Sequence, residues 1–540
     1  MVGVAGRSKG CNTCRRRRVK CDEAKPQCYR CTKAGFECLG YERATQWRHT
    51  SVSARPASRL HGPECTEQMQ NIRIDFGPAP ELSLIAFEGD ICTAQMFRNF
   101  VWKSYGSLWL DQAAEGRLGR LSLDAVKALA RLNFGLSNRV PNFQLQGDAQ
   151  YGKCLRVLIE ELGKDRSGTC DNRTLVVPIL VLMMVSAIQA DRVAAVFHLR
   201  AIGNVLMMCG PRAFQQQPLR NAFEAARSTL LVASLYSRRR IFLESPCWRD
   251  SPYELDPFTK PEQSHLLDIF VMIPGFLEEI NGLDDETCDL SDEFVDPSLI
   301  SDEHTEHLTS LCRRIDSQLE KLYRWRWEWQ RKYGHRVTTD KSEWCQGSPS
   351  PKSESSSSNP TGIGRLQFDR PVYANDIMLY NAALMFLMTL IWRLQPSRAA
   401  SVMSACAQRA SNPSISSPRS PKSPASPLPS SYFEPLIWPG AALSIREPAI
   451  EICRVFDWQC RHHEQHAFFN DQTCMYLFPI GMARTVLAHD PECRMWIDGM
   501  LDFNPMTTGY GRGGGSIVGF SSFITQAAID PDSYDPEDSV

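Results

Sequence analysis

Beyond about residue 90, apolar positions fall at helical spacing along most of the chain. Leu308, Leu311, Ile315, Leu319, Leu322, Trp325 and Trp329 recur every three or four residues, lining one face of a 3.6-residue repeat and predicting a long amphipathic helix. Val126, Leu129 and Leu132 form a shorter stripe that predicts a helix over Ser122–Leu132. Two runs are apolar on every face: Leu175–Ile188, of 14 residues with a proline inside, and Ile377–Trp392, of 16 with an asparagine inside. Both fall short of the roughly 20 residues that cross a bilayer, so they are expected to be central helices of a core, with no membrane partner. Strand-like alternation is rare. The expectation is a mostly α chain whose residues 91–530 form a large all-α domain, long enough to bury a substantial core.

Polar stretches interrupt this pattern. Residues 346–360 (QGSPSPKSESSSSNP) and 410–431 (ASNPSISSPRSPKSPASPLPSS) are poor in large apolar residues and rich in Ser and Pro, and are expected to be disordered insertions. Ser417, Ser420, Ser423 and Ser426 each precede a proline, a spacing suited to proline-directed phosphorylation that would turn a mildly basic segment acidic. Residues 43–90 carry prolines at 56, 63, 78 and 80 and no sustained heptad, so a flexible linker is expected there and a coiled coil is not. Residues 531–540, with four acids, form an acidic tail.

Charge and cysteine placement single out the N-terminus. The first fifty residues hold twelve Lys or Arg against four Asp or Glu, a balance of +8 in a chain of net charge −1, so the basic character is local. Within this stretch Cys11, Cys14 and Cys21 followed by Cys28, Cys31 and Cys38 repeat C-x2-C-x6-C twice. Thiolates two residues apart are a standard grip on tetrahedral zinc. Six thiolates cannot fill two separate four-sulfur sites, so a pair of metals would require two bridging sulfurs and one compact binuclear cluster. The spacing differs from bacterial and plant iron–sulfur patterns, which favours zinc. A disulfide framework needs an oxidising compartment; no apolar secretory h-region precedes Cys11, and the other fourteen cysteines show no paired spacing. The basic run RRRRVK lies between Cys14 and Cys21, where metal ligation would fix the direction of each arginine. Guanidinium groups so held can donate bidentately to phosphate or to guanine O6 and N7.

The segment CNTCRRRRVKCDEAKPQCYRCTKAGFEC resembles the fungal zinc binuclear cluster (six-cysteine) family of DNA-binding transcription regulators. It matches at every cysteine, at the basic run, at Lys20-Cys21-Asp22 and at Pro26, where a fixed φ and a cis peptide would shape the turn between the halves. The resemblance implies two Zn2+ ions bridged by Cys11 and Cys28, with Cys14 and Cys21 completing one site and Cys31 and Cys38 the other. It also implies a short helix entering the major groove of double-stranded DNA to read a CGG-like triplet, with Arg17 and Arg18 at the base-reading end and Arg15 and Lys20 on phosphates. Arginine stands at both reading positions, where family members often carry lysine. Phe36 and Tyr29 are expected to be packing residues of this small module, which spans residues 8–42 and would draw much of its folding free energy from metal. More weakly, Phe97–Gly106, the long apolar helices and AIEICRVFDW at 449–458 resemble the helical regulatory region C-terminal to the cluster in many fungal regulators.

Other segments add no catalytic chemistry. HHEQH at 462–466 lacks the H-E-x-x-H order of a zinc protease, and GYGRGGGS at 509–516 lacks the G-K-[ST] of a phosphate-binding loop. The aromatic run YRWRWEW at 323–329 ends the long amphipathic stripe and is expected to pack, its arginines reaching around the tryptophans toward water. The expected protein is a nuclear, sequence-specific regulator of RNA polymerase II promoters and not an enzyme. Its expected partners are double-stranded DNA and, through the C-terminal helical domain, a second copy or coregulators. The alternative is an interaction scaffold whose zinc cluster is structural and reads no sequence.

Overall fold

A computed structural model describes residues 10–41, 87–99, 107–164, 171–189, 191–290, 302–340, 364–411, 435–462 and 478–503. The chain divides into two units, Met1–Glu81 and Leu82–Val540. Among the described residues the first holds two short helices, α1 (Asn12–Arg16) and α2 (Tyr29–Lys33). The second runs α3 (Glu88–Asn99), α4 (Ser107–Ala114), α5 (Arg120–Asn138), α6 (Pro141–Lys164), α7 (Arg173–Ile188), α8 (Arg192–Cys209), α9 (Leu219–Ser237), α10 (Pro246–Asp250), α11 (Glu262–Phe270), α12 (Ile273–Leu290) and α13 (Asp302–Tyr333). After α13 come β1 (Val337–Asp340), β2 (Arg365–Phe368), α14 (Pro371–Leu394), α15 (Ala399–Ser411), α16 (Arg446–Arg461), α17 (Phe478–Val486) and α18 (Pro491–Phe503). The chain is therefore mostly helical, with a cysteine module at its N-terminal end.

The helices form where the apolar periodicity places them. In α5, Val126, Leu129 and Leu132 are buried, and the helix packs along α6. A Cβ at Gly147 of α6 would lie 2.5 Å from Leu132 Cγ, so only glycine permits this approach. In α13 every residue of the stripe from Leu311 to Trp329 is buried, and Leu308 is half-buried. Capping residues set the ends locally: Asp191 accepts the Ala194 N–H at 2.9 Å to start α8, and Gly210, with φ +72°, stops it.

The two runs that are apolar on all faces form α7 and α14, both sunk in the core. The second extends past the apolar run: α14 is 24 residues long, enough by length and composition to cross a membrane, yet 89% of its most apolar window is buried inside the protein. It packs against α13 and α16, and its Asn381 donates to Glu451 of α16 at 2.8 Å. A helix hydrophobic all round that also carries polar groups satisfied by neighbouring helices is a core helix.

Four sequence expectations are altered. A two-stranded antiparallel ribbon pairs β1 with β2, Val337 opposite Phe368 and Asp340 opposite Arg365. The expected linker gives way to helix at Glu88, and α15 continues through Ala410 and Ser411 into the expected second insertion. Arg326 does not reach water: it is 1% exposed, donates to Gln330 Oε1 at 2.7 Å and lies over the Trp329 ring at 5.0 Å. The remainder of the linker, residues 346–360, 412–431 with the four Ser-Pro sites, most of HHEQH, GYGRGGGS and the acidic tail lie outside the described residues.

Candidate metal centre and nucleic-acid interface

The repeated cysteine spacing folds into a repeated structure. Cys11 stands at the N-cap of α1 in extended conformation and its Sγ accepts the Cys14 N–H at 3.3 Å; Cys28 does the same for α2, accepting from Cys31 at 3.3 Å. The third cysteine of each half returns to the first, whose N–H donates to it: Cys11 N–H to Cys21 Sγ and Cys28 N–H to Cys38 Sγ, both at 3.5 Å. A two-residue gap places two sulfurs at the start of one helical turn, and the six-residue loop brings the third beside them.

The two halves then face each other. Cys11 Sγ lies 3.6 Å from Cys28 Sγ, and Cys14 Sγ lies 3.6 Å from Cys31 Sγ. The sulfurs divide into two sets of four, Cys11, Cys14, Cys21, Cys28 and Cys11, Cys28, Cys31, Cys38, each with all members within 4.8 Å of one another. Cys11 and Cys28 belong to both sets, so the geometry supplies two bridging positions, the same division that the resemblance implies.

The electrostatics require compensation. Burial pushes the thiols of Cys11 and Cys28 up, and that of Cys14 to about 12. At Cys21 burial also pulls upward, but the N–H groups of Cys11 and Glu23 outweigh it and bring the thiol down to about 7; N–H groups of Cys28 and Gly40 lower Cys38. Thiolates packed this closely are stable only beside cations, which is the donor chemistry of a sulfur-bound zinc pair.

Residues that the spacing did not reveal hold the module closed. Thr13 Oγ1 donates to the Glu37 carbonyl at 2.9 Å and accepts the Leu39 N–H at 3.0 Å, tying α1 to the C-terminal end of the module. Asp22 accepts the Tyr29 N–H at 2.9 Å, and the Lys25–Pro26 bond between the halves is cis. Tyr41 donates to the Ala24 carbonyl at 2.8 Å and packs by the cluster with Val19. The packing tyrosine is thus Tyr41 and not Tyr29, which is 68% exposed. A tyrosine three residues past the last cysteine carries no positional signal by itself, because its contact is made across the module.

The basic run divides by environment. Arg15, Arg16, Arg18 and Lys20 are exposed, and Val19 turns inward. Arg18 adopts φ 53°, the left-handed conformation, in the turn that ends α1; the Val19 N–H closes that turn on the Cys14 carbonyl at 3.0 Å. Arg17 is half-buried, its guanidinium 3.7 Å from the centroid of the Phe36 ring, while its Nη1 finds no acceptor among the described residues. Phe36 is 50% exposed, and the contact its ring makes is with Arg17, an arginine expected at the reading end.

Comparison with known proteins places this geometry in context. Residues 9–48 match the fungal Zn(2)-Cys(6) binuclear cluster domain, a domain that binds two zinc ions, and the six gathered sulfurs fit that pair. The chain is similar to the transcriptional regulatory protein moc3 of Schizosaccharomyces pombe, 51% identical over 47 residues that are 9% of each chain. It is similar to the aspercryptin biosynthesis cluster-specific transcription regulator atnN of Emericella nidulans, 58% identical over 77 residues, 12% of this chain and 13% of that one. With the arginine metabolism regulation protein II of Saccharomyces cerevisiae it shares 49% identity over 46 residues, 8% of this chain and 5% of the other. These matches span only about a tenth of the curated relatives or less. No solved structure matches the chain.

Proposed function

We propose that this chain, with its Zn(2)-Cys(6) module, is a nuclear DNA-binding regulator of transcription that reads a CGG-like triplet at RNA polymerase II promoters. The observation that carries the reading is the placement of four exposed cationic side chains, Arg15, Arg16, Arg18 and Lys20, on and just beyond α1, whose N-cap, Cys11, belongs to both sulfur sets. Bound zinc neutralises the thiolates and fixes the two halves against each other. The protein's own residues do the rest. Arg18, exposed at the turn that closes α1, is the base reader, able to donate to guanine O6 and N7. Arg15 and Lys20 hold phosphates and set the register. Arg17, held against Phe36 with its Nη1 shielded from solvent, steadies the reading end beside Arg18. The helical unit serves as the regulatory region, offering surfaces for a second copy or coregulators.

The test is selection from a randomised double-stranded pool at near-physiological salt, with zinc measured on the same sample. Enrichment of a CGG-like triplet is expected, and single versus paired sites will distinguish monomer from dimer reading. A folded, two-zinc sample that enriches no sequence overturns specific recognition in favour of a scaffold with a structural cluster.

A further inference from the structure

The outward face of α8 is apolar over most of its length. Val193, Val196, Phe197, Met207 and Met208 are between 47% and 68% exposed, with Arg200 and Asn204 exposed between them. At about 100° per residue these seven positions fall within a stripe about 120° wide and about 22 Å long. The helix carries no acidic residue. Its opposite face is already used: His198, Ile202, Val205 and Leu206 are buried, and α8 packs on α7 and α9. Single exposed apolar side chains are ordinary, but five along one stripe of one helix mark a surface that gains by being covered.

The order of residues on the stripe is complementary to itself. Phe197 and Met207 stand at equal distances either side of Ile202, as do Val196 and Met208, and Arg200 and Asn204. Two copies of α8 laid antiparallel about a two-fold axis at that level set Phe197 against Met207, Val196 against Met208 and Arg200 against Asn204, each contact being made twice. Thioether sulfur on an aromatic ring is a favourable contact, and the Asn204 carbonyl gives the one charged group of the stripe an acceptor. The two arginines then stand about 6 Å apart along the helices, whereas parallel pairing would set arginine on arginine. Five side chains of this size and exposure present on the order of 500 Å² per copy, so the pair covers on the order of 1,000 Å², enough for a specific, reversible contact. Residues 43–90 offer no heptad seam for a second copy, which leaves pairing to the helical unit.

We propose that the outward face of α8 is the interface for a second copy of this chain, the two helices antiparallel across a two-fold axis level with Ile202. This pairing rests on the reading of the helical unit as offering a surface for a second copy, and it needs neither zinc nor DNA.

The experiment is sedimentation velocity of the full-length, zinc-loaded protein without DNA, from submicromolar to tens of micromolar. A concentration-dependent dimer is expected, with a dissociation constant at least tenfold weaker in Phe197→Glu and, separately, in Met207→Glu. Met495→Glu, at a comparably exposed position on α18, is expected to leave it unchanged. Combining Phe197→Glu with Met207→Lys in one chain is expected to recover the dimer, because the opposite charges then face each other across the axis. All substituted positions are exposed, and far-UV circular dichroism checks that each variant is folded. A wild-type monomer at every concentration, which would leave the face to a different protein or to the chain itself, overturns the proposal. So does a dimer unchanged by either single substitution, one weakened equally by Met495→Glu, or no recovery in the combined chain. A monomer that still selects a DNA triplet overturns the α8 pair alone and leaves DNA reading intact.

Discussion

Arg17 and Arg18 are adjacent in sequence and sit in opposite environments, so their substitution has different expected consequences. Arg18 is exposed in a left-handed turn, and Arg18→Ala is expected to erase preference at one base position, a loss of about 1–3 kcal/mol between matched and mismatched duplexes. Lys20→Ala should instead weaken all duplexes alike and reduce the salt slope by about 1, as a phosphate contact does. Both are read by anisotropy titration across salt. Phe36→Ala removes the ring under the Arg17 guanidinium and is expected to cost about 0.5–1 kcal/mol in specific affinity at unchanged zinc content, with Phe36→Trp restoring it. Loss of zinc in Phe36→Ala would instead mark the ring as structural. In the helical unit, Asp376 lies with Trp329, Glu224, Glu262, Tyr373 and Arg370. Burial lifts its carboxyl to about 8, against about 3.9 in an unfolded chain. The folded protein therefore binds more protons between these values, and stability falls as pH rises from about 4 to about 8. Asp376→Asn is expected to raise Tm more at pH 8 than at pH 5; an equal shift at both refutes this.

At the scale of elements, α13 and α14 show two ways in which a helix enters the core. Amphipathic α13 buries one stripe and exposes the opposite face, where Arg324 pairs with Glu320 at 2.7 Å. Leu319 is fully buried on that stripe, and Leu319→Ala is expected to destabilise the helical unit by about 2–5 kcal/mol, measured by chemical denaturation. A change at exposed Arg324 should stay within about 0.5 kcal/mol. Helix α14 has no exposed face to spare over most of its length, and its polar side chains must find partners. Asn381 finds Glu451, and Gln459 donates to Asn375 at 2.6 Å. Periodicity revealed the stripe of α13 and the all-round apolarity of α14 because both are local in sequence. It did not reveal the β1–β2 ribbon, which is four residues on each side and is made by pairing across an intervening segment.

At the scale of the whole molecule, the two units have separate sources of stability. The cysteine module packs only its sulfurs and a few partly buried residues around them, whereas the helical unit holds one extensive apolar core. Chelation of zinc is therefore expected to abolish DNA binding while the far-UV helical signal stays nearly unchanged; a large loss of helicity would show that the helical unit depends on the metal. The metal chemistry is legible along the chain alone, since ligand identity and spacing are covalent facts, and the double C-x2-C-x6-C admits few other uses. The helical class is legible for the same reason, through a period set by backbone geometry. It takes the folded chain to put Cys11 and Cys28 in both sulfur sets, to lay Arg17 on Phe36, to close the module with Tyr41 and not Tyr29, and to bring Asp376 and Glu224 to one cavity. Each of these depends on side chains brought together across turns or from different helices, and contact of that kind leaves no periodic trace along the chain.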